Sequence, residues 1–527
     1  MDQTDQPPVR ERRKLPIGIQ NLREIRQGGY YYVDKTPFAV RMAEGGKYYF
    51  LSRPRRFGKS LLIDTLAEMF AGSRDLFEGL HAADHWDWSV KHPVIRISFG
   101  RGAMRGRESL DHHIAEQLRL AEISLGLEDM GGADNPIRFA RLIVGAVERH
   151  GQRAVVLVDE YDKPILDNIE DDTAAAEMRE GLKNLYSVIK ESDPHLRFAM
   201  LTGVSKFSKV SLFSGLNNLI DITLDSSFSA ICGYTDKDLD TVFAPELDGL
   251  DRGAIREWYN GYNWLGEAVY NPFDALLLFR TREFRPHWYE TGNPAFLLKV
   301  LRQKQEFLPN LGRTVTDAAL LSTFDVGNIP AEALLFQAGY LTIDEEIHEA
   351  GNYFYRLRYP NHEVYQSLNK SFVSDCTAVA AEVAGARFRL LPMLRQGDID
   401  GIERILRAFF ASIPYEWHTR NDIARYEGYY ASVFYAFFAS LGLRIDVEES
   451  SRAGRLDMAV RYGGHVIVFE FKLVEDAATS DGNSALAQIM ERGYADKFRA
   501  GDDTIHLVGI EFSKTRRMIV AWDNLPG

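Results

Sequence analysis

The chain has 527 residues, 62 basic against 75 acidic side chains and a formal net charge of −13, with 45% apolar and 26% charged residues. That composition excludes a mostly disordered chain, a collagen-like repeat and a disulfide-knit scaffold, and the length suits two to four cores. The negative balance repels nucleic acid as a whole, so any such contact needs a local basic patch.

Cys232 and Cys376 lie far apart and form no CxxC pair, which argues against structural zinc and for a reducing compartment. The leading MDQTDQPPVRERRK lacks the apolar centre of a signal peptide. No stretch approaches the ~20 apolar residues of a membrane span. A cytoplasmic, multidomain protein without a membrane partner is expected.

In chain order, LPIGIQNLREIRQGGYYYVDKT predicts a turn at Gly28–Gly29 and an aromatic strand over Tyr30–Val33. The apolar run Tyr48–Leu51 enters a polar loop and then a helix with Leu61, Leu62, Leu66 and Met69 at helical spacing. Further strands are legible at 93–100, 154–162 and 197–205, with helical patterns between them such as Glu177–Lys190. Strands alternating with helices argue for a parallel α/β sheet, and AVVLV is apolar on both faces as a central strand requires. Residues 234–310 read as helical and aromatic (WYNGYNW, WYETGNPAFLL), with side chains suited to packing against one another. Around 331–370 the order is helix, GYLTI strand, turn-rich EEIHEAGN, YFYRLRY strand and helix, which suits a winged-helix-like module and equally a helical lid with a small hairpin. The last hundred residues predict helix (Tyr426–Ser440), strands (Leu443–Glu448, Arg455–Arg461, Val466–Lys472), helix (Ser484–Phe498) and two more strands (Ile505–Phe512, Met518–Trp522).

Arg53-Pro-Arg-Arg-Phe-Gly-Lys-Ser60 stands between an apolar strand and a helix, where a phosphate-binding loop belongs. There the backbone N–H groups of a helix N-terminus face phosphates, Lys59 reaches the β/γ oxygens and the Ser60 hydroxyl holds Mg²⁺. Arg53 replaces the first glycine of GxxxxGK[ST], so the pattern is incomplete. AVVLVDEYD ends in Asp159 and Glu160, a magnesium carboxylate and a water-activating carboxylate at a strand's C-terminal end. Thr202 and Ser205, ending the next strand, are polar groups suited to sensing a γ-phosphate. The expected nucleotide-binding set is Arg56, Phe57, Gly58, Lys59, Ser60, Leu61, Asp159 and Thr202.

At the other end, Asp457 precedes HVIVFEFKL, with Glu470 and Lys472 on one strand face and Phe469 and Phe471 on the other. A hairpin through Tyr462-Gly463-Gly464 brings Asp457 beside Glu470. Phosphodiester hydrolysis uses this set: carboxylates hold divalent metal, and lysine orients or deprotonates water or stabilises developing charge. Glu427, on the preceding helix, is placed to reach the metal from one side. Gln488 and Tyr494 are weaker auxiliary candidates, since a spacing of six does not share a helical face. His81 and His85 lack the glutamate of an HExxH motif and read as capping or surface residues.

LPIGIQNLREIRQGGYYYVDKT, RPRRFGKSLL, VVLVDEYDKP and LTGVSKFSKVSLFSGLNNLIDIT together resemble the bacterial AAA-ATPase-like family, whose members often carry a C-terminal PD-(D/E)xK nuclease-like domain. The resemblance covers most of the first 300 residues, and Arg53 belongs to that family's own loop wording. It implies an AAA-type domain over 1–233, a helical lid and winged-helix-like region over 234–379, and a nuclease-like α/β domain over 380–527. ATP, Mg²⁺ (with Mn²⁺ at the nuclease site), nucleic acid with DNA ahead of RNA, and further copies of the chain are the implied partners. The expected function is an ATP-regulated, metal-dependent nuclease, with defence or mobile-element biology suggested by the resemblance. The alternative is an ATP-dependent switch or scaffold whose nuclease fold is silent and only binds nucleic acid or partners.

Overall fold

The computed structural model describes residues 12–129, 131–206, 218–291, 297–298, 301, 308–321, 330–375, 380–413, 423–450, 455–475, 483–492, 496–516 and 518–527. It divides the chain into two compact units, Met1–Gly292 with Thr314–Asn361, and Asn293–Arg313 with His362–Gly527.

In the first unit, helices α1 (Leu22–Gln27) and α2 (Thr36–Gly45) precede β1 (Tyr48–Ser52) and α3 (Lys59–Phe70). Then follow β2 (Val94–Ser98), α4 (Arg107–Ser124), α5 (Asn135–His150), β3 (Ala154–Asp159), α6 (Asp172–Glu191), β4 (Leu196–Gly203) and β5 (Ile220–Asp221). The five strands form one parallel sheet in the order β2-β3-β4-β1-β5. Every residue of β1 and β3 is buried, which is why both read as unbroken apolar runs. The expected strand over Tyr30–Val33 is instead a single bridge between Lys14 and Tyr30. Tyr31 and Val33 sink into a separate cluster with Phe243, Tyr259 and Phe279, so their apolar character reflects burial rather than pairing.

The same unit continues through α7 (Arg252–Tyr259), α8 (Pro272–Thr281), β6 (Val315–Asp317), α9 (Ala331–Ala338), β7 (Thr342–Glu349) and β8 (Asn352–Arg358). These last strands form an antiparallel sheet in the order β6-β8-β7. The segment expected to be turn-rich is mostly strand: β7 runs to Glu349 and turns only at Ala350–Gly351, both at positive φ (50° and 79°). Its exposed charged residues hid a solvent-facing strand. Tyr259, Tyr262, Trp264 and Trp288 are buried, and Tyr262 stacks on Trp264 and meets Trp288 edge-on, so these aromatics form packing.

The second unit comprises α10 (His362–Asp375), α11 (Ala380–Gln396), α12 (Ile399–Ala411), α13 (Ile423–Ala439), β9 (Ile445–Ser450), β10 (Arg455–Tyr462), β11 (His465–Val474), α14 (Ser484–Arg492), β12 (Thr504–Ser513) and β13 (Ile519–Pro526). Its sheet is mixed, in the order β13-β12-β11-β10-β9, with β11 and β12 the parallel pair. The helix expected over Ser484–Phe498 is shorter: α14 ends at Arg492, and a single 3₁₀ turn covers Asp496–Phe498. Among the described residues no helix is long and apolar enough to cross a membrane.

Candidate functional site

The loop after β1 wraps the start of α3. Gly58 takes φ +94°, a left-handed turn that glycine adopts without strain, and Arg56 takes φ +68°. Both stand at the start of α3, whose first residues Lys59, Ser60 and Leu61 line a cavity of ≈ 360 Å³. Arg55, Arg56, Gly58, Lys59, Ser60 and Leu61 line one side, and Glu160, Asp162 and Lys163 another. Apolar groups, including Ile19, Tyr234 and Phe273, line the remainder.

Lys59 donates from Nζ to the carbonyls of Arg53 and Pro54, both at 2.9 Å. Burial pulls its pKa down, against the pull of Asp159 and Asp162. Asp159 ends β3 at 8% exposure and accepts the Thr202 hydroxyl at 2.8 Å. Glu160 follows at φ +53°, a costly conformation outside glycine, which turns its carboxylate off the strand line into the cavity. Burial first, and then Asp159, raises its pKa above the ordinary glutamate value of 4.5. Of the expected nucleotide residues, Arg56, Gly58, Lys59, Ser60 and Leu61 line the cavity, whereas Phe57, Asp159 and Thr202 do not. Phe57 packs edge-on against Tyr262 (4.7 Å) and Trp264 (5.4 Å), and Thr202 donates to Asp159, which stands one residue before Glu160 on the cavity wall.

Sequence reasoning passed over Asp162. Its Oδ2 accepts from the Val204 N–H (3.0 Å), the Ser205 N–H (2.6 Å) and the Ser205 hydroxyl, tying the cavity wall to the end of β4. Only glycine fits at 203, because a Cβ there would lie 2.5 Å from Asp162 Oδ1 and the Tyr161 ring. The signal was present as the third carboxylate of DEYD.

In the second unit the antiparallel register sets Asp457 of β10 directly opposite Glu470 of β11. The side chains of Asp457 and Glu427 lie outside those described, as do residues Gly454 and Tyr494. Phe469 and Phe471 pack on Phe434 of α13, at 5.0 and 4.6 Å, so α13 covers one sheet face and Glu470 and Lys472 belong to the other. On that other face Gly509 stands level with Glu470 and Glu511 with Lys472. A Cβ at Gly509 would lie 2.3 Å from the Leu486 nitrogen, so glycine lets the start of α14 sit against β12.

Glu470 is fully buried, and neither carboxylate oxygen has a hydrogen-bond partner among the described residues. A buried carboxylate left this way is costly unless a cation or a proton satisfies it. The donor set fits a divalent metal: hard oxygen ligands beside a second acidic position at Asp457. Lys472 donates from Nζ to the Ser484 carbonyl at 2.9 Å. Gln488, 7% exposed on α14, has its Nε2 unpartnered among the described residues.

Glu511 also escaped the sequence reading. It is fully buried, and its Oε1 accepts the Ser484 N–H (2.8 Å) and hydroxyl (2.6 Å) at the N-terminus of α14, where a negative charge is favoured. The period-two spacing from Gly509 was the available clue. His81 and His85 stack their rings at 3.8 Å, and His85 Nδ1 meets the His81 carbonyl at 2.8 Å.

The two strand registers agree with the comparisons to known proteins. Residues 16–213 match a family model described as predicted AAA-ATPase, and residues 425–522 match one described as PD-(D/E)XK nuclease superfamily. A protein of Azotobacter chroococcum mcd 1, described as "Uncharacterized protein in vnfD 5'region", is 56% identical over 512 residues, covering 97% of this chain and 98% of its own. The chain belongs to the predicted AAA-ATPase family, with a C-terminal domain of the PD-(D/E)XK nuclease superfamily. No solved structure matches it. Family membership and parallel sheet agree for the AAA-ATPase-like unit, as do the mixed sheet and its acidic strand pair for the nuclease-superfamily unit.

Proposed function

We propose that the protein binds and hydrolyses ATP in its first unit and cleaves nucleic acid, DNA in preference to RNA, in its second. In this reading the nucleotide state governs the cleavage. The observation that carries it is Glu470, a buried carboxylate with no hydrogen-bond partner among the described residues, in register opposite Asp457 and two residues before Lys472.

At the nucleotide site, Lys59 and the first N–H groups of α3 hold the β- and γ-phosphates. Ser60 and Asp159 hold Mg²⁺, and Thr202 fixes Asp159 for that work. Glu160, its proton affinity raised by burial, accepts the proton of the attacking water. At the nuclease site Asp457 and Glu470 would hold Mg²⁺ or Mn²⁺, with Glu427 of α13 as a further candidate ligand. The metal supplies polarisation of the phosphate and acidification of water. Lys472, aimed by the Ser484 carbonyl, orients or deprotonates that water or offsets charge developing on the phosphate.

The test is cleavage of plasmid, linear duplex and single-stranded DNA and of RNA, with Mg²⁺ or Mn²⁺, with and without ATP. Metal-dependent scission that changes with ATP supports the reading. Binding of ATP without scission of any substrate under any of these conditions would overturn its nuclease half.

A further inference from the structure

Arg53 occupies the position where a P-loop pattern carries its first glycine, and the structure gives no steric reason for glycine there. Arg53 does not take a positive φ; the left-handed turns of the loop fall on Arg56 and Gly58. The side chain turns inward and is 1% exposed. One guanidinium nitrogen donates to the Ser52 and Thr223 carbonyls, both at 2.9 Å, and another to the Phe228 carbonyl at 3.3 Å. The guanidinium carbon sits 4.1 Å from the ring centroid of Trp264. No carboxylate among the described residues forms an ion pair with it; nearby Asp221 pairs with Lys206 at 2.6 Å. A charge this deep, with no ion pair among the described residues, is held by backbone carbonyls and an indole face, with Asp221 and Cys232 favouring it from farther off. Burial draws its pKa down to about 10, so it remains charged at neutral pH.

The contacts converge on the nucleotide loop. The Arg53 carbonyl receives Lys59 Nζ, and its N–H donates to the Gly203 carbonyl at 3.2 Å. The residue thus ties the loop to β4 through its backbone and to the 223–228 turn and Trp264 through its side chain. Phe57 adds a second tie to Trp264. An ordinary P-loop holds its shape through glycines; this one is held by a buried cation.

We infer that Arg53 is a positioning residue that sets the loop for nucleotide, so that completing the glycine pattern at this position weakens ATP binding. The inference rests on the ATP-binding reading above and specifies what holds that site. Arg53→Gly removes the planar fork and its bonds to the Ser52, Thr223 and Phe228 carbonyls, of which Phe228 keeps the Ile231 N–H at 3.1 Å, and the start of the loop is released from the 223–228 turn. Arg53→Lys keeps a cation near the indole but cannot reach three carbonyls at once.

The experiment is calorimetric titration of ATP–Mg²⁺ into full-length wild type, Arg53→Gly and Arg53→Lys, each checked for a cooperative thermal transition. A residue that merely supports the fold would lower the transition temperature and leave the affinity of the folded protein unchanged. The expected result is affinity reduced about tenfold or more in Arg53→Gly and by a smaller factor in Arg53→Lys. Wild-type or tighter affinity in folded Arg53→Gly overturns the inference and leaves the nucleotide reading standing. If Arg53→Gly loses its transition, Arg53→Lys decides: a several-fold loss supports the inference, and unchanged affinity overturns it. A wild type that does not bind ATP would remove the nucleotide reading and this inference together.

Discussion

Lys472 and Glu511 stand side by side in the parallel register of β11 and β12 and hold the same residue, Ser484, from its two ends. The ammonium takes the carbonyl of Ser484, and the carboxylate takes its N–H and hydroxyl. The N-terminus of α14 is thereby fixed over the sheet face that carries Glu470. A charged pair on one sheet face thus anchors the helix on which Gln488 lies.

Replacing Glu511 by alanine removes two charge-assisted hydrogen bonds and leaves the half-buried Ser484 donors without this acceptor. The expected cost is about 1–3 kcal/mol. Hydrogen exchange at the amides of α14 should accelerate correspondingly, while exchange in α3 of the other unit stays unchanged. Unaltered protection of α14 would show that the clamp is not what seats the helix.

Gly509→Ala places a methyl group where the Leu486 nitrogen now lies, 2.3 Å away. Backbone has to move, so α14 shifts from Glu470 and Lys472. We expect scission to fall at least about tenfold with ATP binding intact, since sites in separate cores seldom couple strongly. Paired cleavage and calorimetry on one preparation check this.

Lys59→Ala deletes the cation at the loop end of the cavity, where the proposed function puts the phosphates. ATP affinity should fall at least about tenfold, because a charge-assisted contact is lost with no substitute. Equal affinities by calorimetry would show that the loop does not hold phosphate.

Glu160→Gln should bind ATP and hydrolyse it about 10²–10⁴-fold more slowly if this carboxylate accepts the proton. The pH dependence has a definite sign. Burial favours the protonated acid, so lowering the pH disables the base earlier than it would an ordinary glutamate of pKa 4.5. The acid limb of the wild-type hydrolysis profile should therefore lie above pH 4.5. A limb at or below that value would place the base elsewhere.

The parts of both sites that lie on buried strands were legible in the sequence. β3 and β11 are apolar runs whose polar ends or alternate residues stand out, so Asp159, Glu160, Glu470 and Lys472 announce themselves, and the hairpin turn fixes Asp457 against Glu470. Residues whose work depends on a partner far along the chain were not legible. Glu511 meets Ser484 across 27 positions and Asp162 meets Ser205 across 43. Arg53 reads as a flaw in a motif until Thr223, Phe228 and Trp264 are seen around it. The outer part of strand Thr342–Glu349, beyond the GYLTI run, was hidden for a different reason: its outward charges resemble a loop, and only pairing with β8 reveals it.

If ATP is hydrolysed in one unit and nucleic acid is cleaved in the other, following phosphate release and strand scission together for wild type and Asp457→Ala with Mg²⁺ separates the two reactions. Asp457→Ala should lose scission and keep phosphate release. Scission at the wild-type rate in Asp457→Ala would rule out a nuclease site at Asp457 and Glu470.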